Sequence, residues 1–295
     1  MISKLSPLFI VLAGCLWGTM GIFVRRLNDA GIESMNIVFI RALFTAAITF
    51  ALTAIRNKEL LKIKLRDVWI FAGTGLISIV LFNFCYFTAI SMMSLSAAAI
   101  LLYTSPIFVM LMSAVIYKER ITIRKIIAVL LSLAGLSLVT GVFGGAQLTP
   151  AGIVFGLLSA FGYAMYSIFG RTAINRGYSS LTTTAWSFAF AALFAAFFAD
   201  YGTIFDAVSD SALIIPYTVV FAIVASVAPY ILYSLGLRGT ETGKAAVIAS
   251  VEPIAASLFG IILYHEIPTL QSVFGILLVL TALAMCIITP KKDNR

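Results

Sequence analysis

A glutamate stands near the middle of an apolar stretch long enough to cross a bilayer. It is Glu252, in AAVIASVEPIAASLFGIILYHE, residues 245–266. Intramembrane carboxylates are costly, so by default they face a cavity and serve an ion or a substrate. A carboxyl withdrawn from water also holds its proton more readily, which suits Glu252 to proton coupling as well as to binding a cationic group. Pro253 follows directly; it has no N–H and loosens the helix there. Arg41 is the other charge at depth. It lies eight residues after Glu33, about 12 Å from that end of its helix. Glu252 lies eleven residues after Glu241, about 16 Å from the opposite end of its own. In a hydrocarbon core of about 30 Å these are similar levels. The two groups then either clamp a zwitterion, Arg41 to carboxylate and Glu252 to ammonium, or pair with each other and hold two helices together.

Aromatic and polar side chains recur around these charges at three-residue spacing, which puts each pair on one helix face. The pairs are Trp17 and Met20, Asn83 and Tyr86, Tyr163 and Tyr166, and Tyr230 and Tyr233. They lie inside their apolar runs, so they are expected to line a substrate cavity rather than form an interfacial aromatic belt. Tyr103 and Ser105 stand beside Pro106 in AILLYTSPIFVMLMSAVIYKE, a stretch ending at Glu119 that matches the Glu252 stretch. Ser105 occupies the slot of Glu252, so the cavity is expected to be chemically asymmetric on a symmetric scaffold. Arg25 and Arg171 fit gate residues at two mouths as well as they fit arginines snorkelling at helix ends. Glu119 and Glu266 precede further helices, where a carboxylate favours the positive helix start; both are read as structural. Gly135 and Gly156 are expected to let helices pack closely.

The elements that must position these residues follow from composition. The chain has 295 residues, 61% hydrophobic and only 11% charged, with a mean hydropathy of +1.07. Soluble domains carry about 25% charge, so this is a multi-pass membrane protein embedded in a lipid bilayer. Apolar segments of roughly 20 residues occur ten times: 6–27, 33–55, 68–90, 94–117, 121–142, 150–172, 179–200, 212–236, 241–264 and 267–289. The net charge of +8 does not point to nucleic acid, because the basic residues sit in short loops. With the N-terminus in the cytoplasm, 17 of the 20 Lys and Arg residues fall inside, which orients both termini to the cytoplasm of a cell membrane. The three cysteines and the single His265 have no metal-ligand or disulfide spacing. No cofactor motif and no phosphate-binding loop is present, and the sequence carries no signal for an oligomeric state.

The two halves repeat. Pro106 and Pro253, Tyr117 and Tyr264, and Glu119 and Glu266 all stand 147 apart. At 146, LWGTMGIFVR (from Leu16) meets GYAMYSIFGR (from Gly162), pairing Trp17 with Tyr163 and Arg25 with Arg171. Five helices per half is an odd number, so the second half enters the membrane from the opposite side. The expected fold is an all-α integral membrane protein of ten transmembrane helices in two inverted five-helix repeats, residues 1–145 and 146–295, around a central cavity. The LWG of the first helix, Arg41, the Glu252–Pro253 pair and the two Y-x-E closures together resemble the EamA family, ten-helix exporters of the drug/metabolite transporter superfamily. That resemblance covers about residues 7–289. It implies peripheral fifth and tenth helices and a secondary transporter, most often an exporter of amino acids or related metabolites, with importers also known. An integral-membrane enzyme would need paired acids, a metal set or a Ser/His arrangement at one face, which the sequence does not supply.

Overall fold

A computed structural model describes residues 2–142, 148–265 and 267–288; Glu266 lies outside them. The regular elements among these residues are all helical. In the first half, α1 is Ile2–Trp17 and, after Gly18 and Thr19, Met20–Asp29. α2 is Ser34–Arg56, and α3 runs through Val68–Gly73, Thr74–Leu81 and Phe82–Met92. α4 is Leu95–Leu102 and Ser105–Tyr117, and α5 is Ile123–Val139. In the second half, α6 is Pro150–Asn175 and α7 is Ser180–Ala195. α8 runs through Ile214–Ala222, Ile223–Val227 and Ala228–Leu237. α9 is Thr242–Ala249 and Glu252–Tyr264, and α10 is Leu270–Ile287.

Among the described residues, nine helices are long and apolar enough to cross a membrane. The remaining one, α5, was expected over 121–142 and has 17 residues. At 1.5 Å per residue that is about 25 Å, a little less than the hydrocarbon core.

The repeat is written in the backbone as well as in the residue types. Each half carries a left-handed residue after its fourth helix, Lys118 at φ 57° and His265 at φ 54°. Each carries a left-handed glycine after its first, Gly31 at φ 82° and Gly177 at φ 86°. Threonine caps start the fifth helix of both halves, with Thr122 Oγ1 accepting from the Lys125 N–H and Thr269 Oγ1 from the Ser272 N–H. α3 and α8 both widen into π-helix in mid-course, over Thr74–Leu81 and Ile223–Val227. α4 and α9 are both interrupted. Their prolines lack the N–H that would serve the carbonyl four residues earlier, which belongs to Leu102 and Ala249, the last residues of the preceding half-helices.

The halves interlock. α1 packs on α8 and α9, and α6 on α3 and α4; α2 meets α7, and α4 meets α9. α5 and α10 pack mainly on each other. There Gly135 and Gly275 sit backbone to backbone, since a Cβ on Gly135 would come within 2.6 Å of the Gly275 carbonyl oxygen. Close approach also fixes α1 on α9. A Cβ on Gly18 would stand 2.7 Å from Ala255 Cβ and 2.8 Å from the carbonyl oxygen of Glu252. The missing side chain lets the break in α1 lie directly against the break in α9. Gly18→Ala must therefore push backbone apart at this seam. Overpacking of this kind typically costs about 1–3 kcal/mol, so the variant's melting temperature in detergent should fall below wild type; an unchanged melt would mean that the seam yields freely.

Candidate functional site

Glu252 is the first residue of the second half of α9. The positive end of that half-helix favours a carboxylate there. Tyr163, on α6 of the same half, donates its hydroxyl to Glu252 Oε2 at 2.8 Å. Tyr86, Tyr103 and Tyr230 all lie within electrostatic range of the same carboxylate. The break in α9 thus turns a charged side chain, only partly buried, into a ring of phenols drawn from α3, α4, α6 and α8.

Beside it lies a narrow cleft of about 20 Å³. Its aromatic wall is Trp17, Tyr163, Tyr166, Tyr230 and Tyr233. Trp17 sits with its ring centroid 5.3 Å from Tyr230 and 5.3 Å from Tyr233, and Tyr166 meets Tyr230 edge-on at 4.8 Å. Edge-to-face contacts such as these are favourable beyond their burial, so the wall is preformed. Its polar atoms are Ser78, Ser105 and Ser167. Ser167 Oγ is hydrogen-bonded to Tyr233 Oη at 2.7 Å. Trp17 Nε1 and Ser78 Oγ are buried with no hydrogen-bond partner among the described residues. Ser167 was legible from Tyr163, one turn away on the same face. Ser78 was not, because it sits in the π-helical stretch of α3, where α-helical spacing does not apply.

Arg41 is 3% exposed and stands apart from the cleft wall. Nη1 lies 3.5 Å from Met20 Sδ, and the guanidinium is 5.8 Å from the Phe221 ring centroid, a cation–π distance. Among the described residues no ion pair joins Arg41 to Glu252. Tyr230, within electrostatic range of both, is what the two charges share. Asn83 does not line the cleft. Its Nδ2 donates to the Ile79 carbonyl at 2.7 Å, bonding backbone within the widened part of α3.

Arg25 and Arg171 differ in setting. Arg25 is exposed. Arg171 donates from Nε to Thr242 Oγ1 at 2.9 Å and from Nη2 to the Thr240 carbonyl. Glu119 joins the same cluster, against the expectation that it serves the start of α5. Its carboxylate accepts the N–H groups of Thr242 at 2.7 Å and Gly243 at 3.2 Å, capping α9 instead. Lys125, 5% exposed, bridges Glu241 at 2.9 Å and Glu119 at 3.8 Å. Tyr117 Oη donates to the Ile168 carbonyl at 2.5 Å. The basic end of the molecule is latched shut by these contacts between α4, α5, α6 and α9. Among the described residues no three His, Cys, Asp or Glu side chains converge as a metal site.

The latch can be tested apart from transport. Glu119→Ala strands two backbone donors, at about 1–3 kcal/mol. It should lower the melting temperature and speed alkylation of Cys286, which lines this mouth, in protein lacking Cys15 and Cys85. Burial pushes the Glu241 carboxyl up, but Lys125 and Lys244 outweigh it and hold it below its ordinary value. A lowered folded value contributes stability that is complete above the unfolded value of about 4.3 and is lost as pH falls through the folded one. Below about pH 4 the wild-type melt should therefore drop more than that of Glu241→Gln, by a small amount because Glu241 is half-exposed.

Other proteins resemble this chain in sequence, and one in fold. The chain is 28% identical over 284 residues to an uncharacterized transporter of Archaeoglobus fulgidus, covering 90% of each protein. It is 22% identical to the uncharacterized transporter YxxF of Bacillus subtilis (strain 168), covering 95% of this chain and 88% of that one. A solved crystal structure superposes with a TM-score of 0.76 at 18% identity over 95% of both chains, a likeness of fold. The model of the EamA-like transporter family matches twice, over residues 4–141 and 150–288. This multi-pass membrane protein belongs to the EamA-like transporter family.

Proposed function

We propose that this transporter moves a small amine-bearing metabolite, an amino acid or a related compound, out of the cell by alternating access. The observation that carries the proposal is Glu252: a carboxylate at a helix break, held by one tyrosine, with no cationic partner among the described residues. A group placed at such cost without an ion-pair partner is suited to an ammonium or a proton that comes and goes. In the proposed cycle the substrate amine meets Glu252 and Tyr163, and its body lies on the aromatic wall of Trp17, Tyr166, Tyr230 and Tyr233. A substrate carboxylate would be drawn toward Arg41 past Tyr230. Opening of the Arg171–Glu119 latch would admit substrate from the cytoplasm, and rocking of the interlocked halves would then expose the site outward. Both termini would face the cytoplasm of the cell membrane, with residues 1–145 and 146–295 as the two moving repeats. Outward transport rests on the usual direction in the family; efflux from loaded cells against uptake by the same cells tests it.

Glu252→Gln separates the roles. The amide oxygen still accepts from Tyr163, and the charge that was costly to bury is gone. Expression and melting temperature should stay near wild type while counterflow of amino acids in proteoliposomes falls at least tenfold. Transport at the wild-type rate with unaltered pH dependence would sink the proposal. For topology, a cysteine replacing Asp206 in the α7–α8 connection, in protein lacking its native cysteines, should be labelled by an impermeant maleimide on intact cells. Labelling only after lysis would reverse the orientation.

A further inference from the structure

A second cavity lies apart from the aromatic cleft. It is a space of about 600 Å³ at the basic end, open to one side, between the start of α5 and the end of α10. The two spaces share no lining residue. Its walls come from the connection between α4 and α5, the start of α5 and the start of α9, with Met285, Cys286 and Ile288 on the α10 side. Its inner wall is the closed latch: Glu119 is committed to the α9 N–H groups, and Glu241 to Lys125 and Lys244.

That commitment leaves a surplus of positive charge. Lys118, Arg120 and Arg124 also line the cavity, and among the described residues none of the three has a carboxylate within ion-pair distance. The N-terminus of α5, a 17-residue helix, opens onto the same space and adds its partial positive charge. Below this mouth the surface is apolar and exposed. Ile123, Ile127 and Leu130 follow one another along one face of α5, 71%, 41% and 59% exposed. Three cations without an ion-pair partner among the described residues, over a greasy stripe at the edge of a membrane helix pair, match the two ends of one molecule.

We propose that this cavity binds an anionic phospholipid, its headgroup phosphate held by Lys118, Arg120 and Arg124 and its acyl chains lying along Ile123, Ile127 and Leu130. Basic pockets between membrane helices take such headgroups. Charge complementarity excludes a zwitterionic headgroup as an equal ligand, because its own ammonium would face three cations. Binding also couples to the latch. Arg120 lends its carbonyl to Lys125 Nζ at 2.9 Å, and Lys125 holds Glu241 and Glu119. A headgroup that fixes Arg120 and Arg124 therefore steadies the closed basic end.

The test uses the purified full chain, delipidated in a neutral detergent, and its melting temperature during titration with short-chain phosphatidylglycerol, short-chain phosphatidylcholine or inorganic phosphate. Lipid retention is followed by native mass spectrometry. Phosphatidylglycerol should raise the melting temperature and remain bound, while the other two should do neither. The triple variant Lys118→Gln, Arg120→Gln, Arg124→Gln should bind phosphatidylglycerol about 100-fold more weakly, at roughly fivefold per lost cation. The charge-preserving triple Lys118→Arg, Arg120→Lys, Arg124→Lys should bind like wild type, and 0.5 M salt, on the order of a 4 Å screening length, should weaken both. Equal protection by phosphatidylcholine overturns the proposal, as does undiminished binding by the Gln triple. Equal protection by inorganic phosphate overturns it too, since the site would then be one for a free anion. Should the Gln triple fail to fold, the wild-type preference between the two lipids decides alone.

Discussion

A backbone carbonyl deprived of its helical donor is the constraint on which this architecture turns. Pro106 and Pro253 each withdraw one N–H from a helix that crosses the membrane, and each ends the half-helix before it. Facing lipid, such a gap is not tolerated; it survives only where protein or a cavity covers it. α4 and α9 are therefore interior helices by necessity. α6 must lie over one and α1 over the other, as they do, and α1 comes close enough only because Gly14 and Gly18 present no side chain to α9. The interlocking of the halves follows from covering two broken helices with the first helix of each repeat.

On that symmetric frame the chemistry is one-sided. The same backbone break carries Ser105 in one half and Glu252 in the other. The first helix is interrupted at Gly18 and Thr19, whereas α6 runs unbroken through the matching region. Charge is likewise unequal between the two ends, and the latch around Arg171, Glu119 and Lys125 belongs to the basic one. A scaffold with equivalent halves can adopt two related closed forms, and unequal side chains decide which form is held.

Much of this was legible before any coordinates. Apolar run length gave the helices to within a few residues, because burying backbone in lipid leaves helix as the open choice. The offset of 146 to 147 gave the pairing of halves, down to left-handed residues at matched positions. Of the tyrosines that gather near Glu252, Tyr86, Tyr163 and Tyr230 are marked by three-residue spacing and Tyr103 by its place beside Pro106. What stayed hidden depends on distance along the chain or on local departure from the α-helix. Glu119 caps a helix that begins 123 residues later, which no neighbouring residue announces. Arg41 is readable as a charge within an apolar run, but its contact with Met20 and Phe221 is a matter of side-chain direction. Asn83 and Ser78 were misjudged or missed because π-helix in α3 shifts every face after it, and its composition is that of any apolar helix.

The indole N–H of Trp17 and the hydroxyl of Ser78 stand in the wall of the cleft without a hydrogen-bond partner among the described residues. An apolar molecule of the right size would seal them dry, and a buried donor without an acceptor carries a penalty. The protein is surrounded on every side by hydrocarbon chains that would otherwise be well suited to an aromatic pocket. Such polar groups make that pocket inhospitable to the solvent the protein lives in, and favour a solute that can bond them.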